Sequence, residues 1–370
     1  MTMTAPTRAL AAVRPTASIG LLASAAAISA TFVATPFVIS ETVEVYGVSA
    51  GWAALLSTAQ VGGFTASNLY AGRRMQASSG LARNALVAFA LCNLASAVTL
   101  AFPLLVILRT LAGAAMGLLT WIAWTDSAVD PKKRGDVAAI GPFSAALFAP
   151  VIATVATRFG LSGIYFALAA VAAAGLALPL KIEASVMPAR RPIETPGVRL
   201  VLASLCIFMA GGSSVFVFGR VLADEHIGMS ALVFSLILSA NALVSIPVAR
   251  YSGRRRLPGA WIAIIAVCAV VAATTDSTVI FAFVIVLWGM AFWAVVPEIF
   301  TILSDRSIHP ADRVGDAQAV MSMGRVIGPT MGGALVGAGS FAALGWISAA
   351  LILSAGIAVE FVATKHRWRD

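Results

Sequence analysis

Three ionisable residues, Arg109, Glu298 and Arg325, lie deep inside long apolar stretches of this chain. A charge in such surroundings is costly, so each is a functional candidate by default. A carboxylate at Glu298 suits reversible protonation, because burial raises the pKa of an acid and a nearby Arg lowers it. Counted from the ends of their stretches, Glu298 and Arg325 differ in depth by only about 5 Å at 1.5 Å per residue. An ion pair between them is therefore expected, either as a permanent strut or as a pair loosened during protonation. Arg109 offers a cation that can bind an anionic group directly, as an alternative to a role in proton coupling. It shares one helical face with Gly113, Met116, Thr120 and Trp124. Ser24, Thr31 and Thr35 share another face, and Trp288, Phe292, Val295 and Ile299 a third.

The stretches that carry these residues are long. The chain has 370 residues, 60% hydrophobic and 11% charged, with a mean hydropathy of +0.94. Soluble domains are about 45–50% apolar and about 25% charged, so the composition points to a lipid bilayer. Apolar runs fall at about 17–40, 49–72, 84–101, 103–125, 137–158 and 161–180, then at 200–222, 230–251, 259–275, 278–304, 317–338 and 340–363. Each is near the length a spanning helix needs, about 20 residues, and none alternates as a barrel strand would. Twelve helices leave no room for a sizeable soluble domain. Cytosolic enzymes and disulfide scaffolds are excluded, and so is nucleic-acid binding, despite a net charge of +9.

The basic residues explain that charge. Of 25 Lys and Arg, 21 lie before the first run, after each even-numbered run or in the tail. The intervening connections carry Glu41, Glu44, Asp224, Glu225 and Asp276. The positive-inside rule then places both termini in the cytoplasm and requires an even number of crossings. The best linker is 181–199, with Pro188, Pro192 and Pro196 among charges. It divides the chain into 1–180 and 200–370, and the two parts resemble each other at an offset near 180. Tyr70, Gly72, Arg73 and Arg74 align with Tyr251, Gly253, Arg254 and Arg255, and Gln60 with Asn241. Asp126 with Arg134 and Asp136 matches Asp305 with Arg313 and Asp316. Duplicated helical halves are characteristic of secondary transporters, with the solute site between the halves near mid-membrane.

These features together resemble the major facilitator superfamily. Gly72-Arg73-Arg74 and Gly253-Arg254-Arg255 resemble its first signature, although Leu69 and Arg250 replace the usual upstream Asp. Arg109, Gly113 and Gly117 resemble the fourth-helix signature. Gly141-Pro142 is a partial copy of the glycine-proline bend, and Gly324, Gly328-Pro329 and Gly332-Gly333 a fuller one. The resemblance implies an all-α membrane protein of two pseudo-symmetric six-helix bundles. It also implies a cavity lined by the first, fourth, seventh and tenth helices, with a proton-coupling role for Arg109. Thr31, Thr35, Arg109, Met116, Thr120, Trp124, Trp288 and Phe292 are then the expected solute contacts, and Glu298 with Arg325 and Arg109 the expected proton-coupling set. Charge clamps are expected between Arg73 or Arg74 and Asp126, and between Arg254 or Arg255 and Asp305. Gly328 and Pro329 serve as a hinge or as static close packing.

The expected function is secondary transport of a small aromatic or amphiphilic solute, with proton-coupled efflux ahead of proton-coupled uptake of a nutrient or vitamin. The expected partners are the solute, protons and the lipid bilayer, and the expected state is a monomer in a bacterial plasma membrane. No cofactor or metal is expected. The histidines His226, His309 and His366 lie in connections or the tail, which argues against an intramembrane enzyme, and the glycine-rich stretch 324–333 lacks the lysine of a nucleotide loop. Cys92, Cys206 and Cys268 read as small packing residues.

Overall fold

The computed structural model describes residues 15–127, 130–183, 196–250, 257–305 and 310–367. Among them every regular element is a helix. In lipid a backbone must satisfy its own N–H and C=O groups, and a helix does so within one segment. The helices are α1 Ile19–Tyr46, α2 Ala50–Ala53, α3 Leu55–Arg74, α4 Ser79–Val98, α5 Phe102–Ser127 and α6 Pro131–Leu176, followed by α7 Pro196–Phe216, α8 Gly219–Glu225, α9 Ala231–Arg250, α10 Pro258–Thr274, α11 Thr278–Asp305, α12 Pro310–Gly337 and α13 Phe341–Arg367. Among the described residues, eight helical stretches are long and apolar enough to cross a membrane, and Pro258–Thr274 is a shorter apolar helix. The chain is therefore an integral membrane protein by its own chemistry.

Local sequence sets the ends. Ser78 starts α4 by accepting from the Leu81 N–H, and Asp130 starts α6 by accepting from Lys132 and Lys133 N–H, with Pro131 at the first helical position. Gly47 closes α1 in the left-handed conformation, its N–H donating to Val43 O.

The two runs expected at 137–158 and 161–180 are joined in α6 as 46 residues broken at Gly160, where φ is 58° and ψ is −154°. That backbone region is essentially confined to glycine. A straight rod of this length would span about 69 Å. Instead Lys133 Nζ at its start lies 2.9 Å from Glu183 Oε2 just beyond its end. The element therefore turns back on itself at Gly160 and supplies two antiparallel rods.

Contacts at the helix ends tie the start of α1 to both ends of α6, and the start of α10 to α13 near the end of the described chain. Asp136 accepts from Thr16 N–H and Oγ1 and from Ala17 N–H at the start of α1, and Gly20 N–H donates to Pro179 O. Glu360 Oε2 accepts from Gly259 N–H at 2.9 Å and so caps α10 from α13. Glu360, which sequence suggests is an interfacial anchor, is a helix cap.

Residues 15–183 and 196–367 meet mainly through α3 with α12 and α6 with α9. These contacts concentrate at the end remote from the termini. Thr58 and Thr330 hydroxyls are 3.0 Å apart, Ser239 Oγ donates to Ala146 O at 2.8 Å, and Phe37 meets Phe234 edge-on. The buried apolar residues form two clusters accordingly. One runs through 196–367 and takes in the remote ends of α1, α3 and α6. The other is confined to the terminus-side portions of α1 and α3–α6. The apolar core is thus continuous between the two parts of the chain at one end and divided at the other.

The glycines of the fourth and eleventh runs are packing surfaces. A Cβ on Gly113 would lie 1.8 Å from Gln60 O, and one on Gly117 2.2 Å from Phe64 O, so α5 touches α3 backbone to backbone. A Cβ on Gly328 would lie 2.4 Å from Ala210 O and one on Gly324 2.3 Å from Cys206 O, which seats α12 on α7 in the same manner. Gly328 is therefore closely packed against α7 within one part of the chain. Gly333 is the exception: it faces Gly51, across from the other part.

Candidate functional site

The fully buried Arg109 occupies a polar nest with no acid in it. Nη1 donates to Asn93 Oδ1 at 3.0 Å, Nη2 donates to Ser96 Oγ at 2.7 Å and to Cys92 O at 3.1 Å, and the guanidinium carbon lies 4.5 Å from the centroid of the Tyr165 ring. Helix geometry supplies this set, because Cys92, Asn93 and Ser96 stand within about one turn on α4. A narrow crevice of ≈ 10 Å³ beside Arg109 is lined by Thr31, Thr35, Ser57, Gln60 and Tyr165 with apolar neighbours. That is space for about one water. Thr31 and Thr35, expected as solute contacts, do line it. Their hydroxyls donate to Ala27 O and Thr31 O on their own helix.

The expected Glu298–Arg325 pair is absent. The Arg325 guanidinium carbon instead lies 5.9 Å from the Phe32 ring centroid, on the other part of the chain, and Glu298 Oε2 is buried without a partner. Equal depth along two helices fixes height but not direction around each axis, and here the two side chains do not meet. Glu298 is half-buried.

The remaining expected contacts divide. Phe292 is half-buried and stacks on Phe208, ring centroids 5.9 Å apart. Trp288 and Met116 are buried in the two apolar clusters and act as packing. Thr120 is half-buried and Trp124 exposed, on the terminus side of α5.

The clamp at Asp126 also differs from expectation. Arg73 and Arg74 are exposed. Asp126 instead accepts from Glu183 N–H at 2.8 Å and lies 3.5 Å from Lys133 Nζ. Lys133 is seven residues away across a short connection, so it reaches the acid at little entropic cost. Hydrogen bonding to Glu183 holds the Lys133 ammonium above its usual range, with the Asp126 charge adding and partial burial opposing. A raised lysine pKa contributes stability that is complete below the unfolded value and is lost as pH rises through the folded one, so this latch is intact at neutral pH. Asp126→Ala is expected to lower unfolding stability by about 1.5–3 kcal/mol, read as a lower Tm of the purified protein. Arg254 and Arg255 lie outside the described residues, as does the side chain of Asp305.

Sequence reasoning missed Tyr165, Asn93 and Ser96 around Arg109, the Thr58–Thr330 contact, and Lys133 with Glu183. Asn93 and Ser96 are the detectable signal: two polar residues three apart in an apolar run, one of them an amide, ask for a polar partner in lipid.

The described helices form a bundle of apolar, membrane-length segments that holds the buried charge of Arg109, and its class, a membrane transporter rather than an enzyme, follows from the family it matches. The family model of the Major Facilitator Superfamily matches residues 17–325, and the chain belongs to that superfamily. A search of curated proteins finds no match. Among solved structures, the human organic anion transporter MFSD10 (TETRAN) is similar at 13% identity and a TM-score of 0.66, covering 92% of this chain and 97% of that one. A bacterial homolog of the human lysosomal transporter Spinster, inward-facing and occupied, is similar at 12% identity and 0.66, with 98% and 96% covered. A D-xylose-proton symporter is similar at 15% identity and 0.67, with 92% and 96% covered. At these identities the likeness concerns the fold.

Proposed function

We propose that the protein is a proton-coupled secondary transporter that exports a small aromatic or amphiphilic solute by alternating access. The observation that carries this reading is the divided core: the two parts of the chain are fused at the end remote from the termini and separate at the terminus side. In this reading residues 1–180 and 200–370 are two six-helix bundles, α6 supplies the fifth and sixth of twelve crossings on either side of Gly160, and both termini are cytoplasmic in a bacterial plasma membrane. The present conformation is then open toward the cytoplasm. Solute enters between the bundles, past Thr120 and Trp124 and against the Phe292–Phe208 stack.

Glu298 is the proton carrier of this scheme. It is a half-buried carboxylate on an apolar helix, and its Oε2 is buried without a partner, so it is an acid of α11 free to exchange a proton as the two sides open in turn. Arg325 stays on Phe32 and keeps Glu298 free of a permanent pair.

The test is purified protein in liposomes holding a trapped pH dye, challenged with aromatic and amphiphilic solutes. Solute-driven proton movement is expected, opposite in direction to the solute. Glu298→Gln is expected to reduce it at least about tenfold while solute counterflow survives. Unchanged proton movement in Glu298→Gln removes this residue from coupling, and proton and solute moving together replace export with uptake.

A further inference from the structure

We propose that Arg109 and Tyr165 form a carboxylate seat, and that the transported solute is an aromatic monocarboxylate. This rests on the transporter reading for its use, but the seat itself rests on bonding geometry.

A guanidinium has five N–H donors. Arg109 spends three contacts, all on neutral acceptors: an amide oxygen, a hydroxyl and a backbone carbonyl. Its Nε is buried with no partner. No ion pair to Arg109 forms among the described residues. The fourth face of the cation is covered by the Tyr165 ring, and the buried Tyr165 hydroxyl has no partner either. Two buried donor atoms without a partner, one of them on a full positive charge, therefore belong to residues lining the same crevice. Gln60 and Ser57 line it as well, and neither side chain makes a hydrogen bond to the described protein.

Leaving a cation buried among neutral groups costs several kcal/mol even after relaxation, on the order of magnitude known for buried ions. Orphaned buried donors add to that cost. A structural arginine would be expected to hold an acid. Here the neighbours are arranged to orient the guanidinium without neutralising it, which leaves its charge for something that comes and goes. The group that satisfies both donors and the charge together is an oxyanion, and carboxylate is the planar, singly charged form that matches an arginine edge. The remaining wall, Val38, Ile39, Leu56 and Leu168 with the Tyr165 ring, is apolar. It accepts an aromatic body and disfavours a second charge. The crevice as it stands holds about one water, so an arriving carboxylate displaces that volume and α1 or α6 yields to admit the ring.

The experiment is thermal shift and titration calorimetry on the full purified protein, with benzoate and indole-3-acetate as probes, and benzamide and indole-3-acetamide as neutral isosteres. Binding raises apparent stability by mass action. The acids are expected to raise Tm in a concentration-dependent manner and the amides to leave it unchanged. Tyr165→Phe is the decisive variant, because it keeps the ring over Arg109 and removes only an oxygen that bonds nothing. The unliganded variant is expected to be as stable as the parent or more so, while binding the acids about tenfold more weakly, the effect of losing one hydrogen bond to a charged group. Arg109→Lys keeps the charge but not the fork and is expected to lose at least as much affinity. No stabilisation by the acids, equal stabilisation by the amides, or parental affinity in Tyr165→Phe overturns the seat. Should proton movement driven by neutral amphiphiles persist in those cases, the transporter reading stands without it. Should the acids bind as described but drive no proton movement, the seat stands and the transport reading falls.

Discussion

Oxidising a protein that carries both Thr58→Cys and Thr330→Cys is expected to cut solute-driven proton movement to less than about one-twentieth of the reduced value, and reduction to restore it. The two hydroxyls are 3.0 Å apart, and Thr58 Oγ1 also approaches Val326 O at 3.4 Å. A disulfide needs Cβ atoms about 3.5–4.5 Å apart, and hydroxyls 3.0 Å apart, each one bond from its Cβ, set the two side chains facing each other for such a link. They join α3 to α12 beside Gly51 and Gly333, where a Cβ on Gly51 would lie 2.6 Å from Gly333 O. In the proposed alternating-access cycle this end must part. A covalent bond there holds one state, and a ligand can move an equilibrium only between states the chain can reach. Each single substitution removes one weak hydrogen bond and is expected to transport normally. Full activity in the cross-linked protein would show that these helices need not separate. Labelling gives a second readout: positions such as Phe292→Cys should stay reactive toward reagents from the terminus side when the link is closed.

The architecture was legible because lipid imposes strict rules. Backbone satisfaction demands helices, and bilayer thickness sets their length. The exceptions are instructive. α3 and α12 are not among the stretches apolar enough to cross a membrane, yet they occupy the contact between the two parts of the chain. Ser57, Thr58, Gln60, Thr330 and the glycines lower their hydropathy because lipid is replaced there by protein. Gly160 falls in the two-residue gap between the runs at 137–158 and 161–180, and its backbone angles mark the reversal there.

The site was legible as a set of residue types but not as a set of bonds. Arg109, Glu298 and Arg325 stood out because charge in an apolar run is rare. Their partners did not, because sequence gives height along a helix and leaves the facing direction to packing. A search for opposite charges at equal depth led to Glu298 with Arg325, whereas the structure gives Arg325 an aromatic face and Arg109 neutral oxygens and a ring. Asp126 likewise went to a cation only seven residues along the chain, Lys133, rather than to Arg73 on another helix end.

Gly113→Ala and Gly62→Ala add the same methyl group to neighbouring helices of the same bundle, and they are expected to differ by more than about 3 kcal/mol in unfolding stability. On Gly113 the new carbon would lie 1.8 Å from Gln60 O and 2.7 Å from the Gln60 carbonyl carbon, all backbone atoms that no rotamer change can move aside. α5 would have to retreat from α3 along its length, and Gly117, whose own added Cβ would lie 2.2 Å from Phe64 O, shows that the contact continues for another turn. Retreat also displaces Arg109, one turn away on α5, from Asn93 and Ser96. Loss of monodisperse protein on gel filtration, or a Tm lowered beyond that of any surface variant, is therefore expected. At Gly62 nothing lies within 4 Å of the added carbon. There alanine gains up to about 1 kcal/mol from its better helix propensity and meets no steric cost. Equal Tm values for the two variants would mean that backbone approach between α3 and α5 does not hold this bundle together, and the arginine nest would then need another scaffold than the one described.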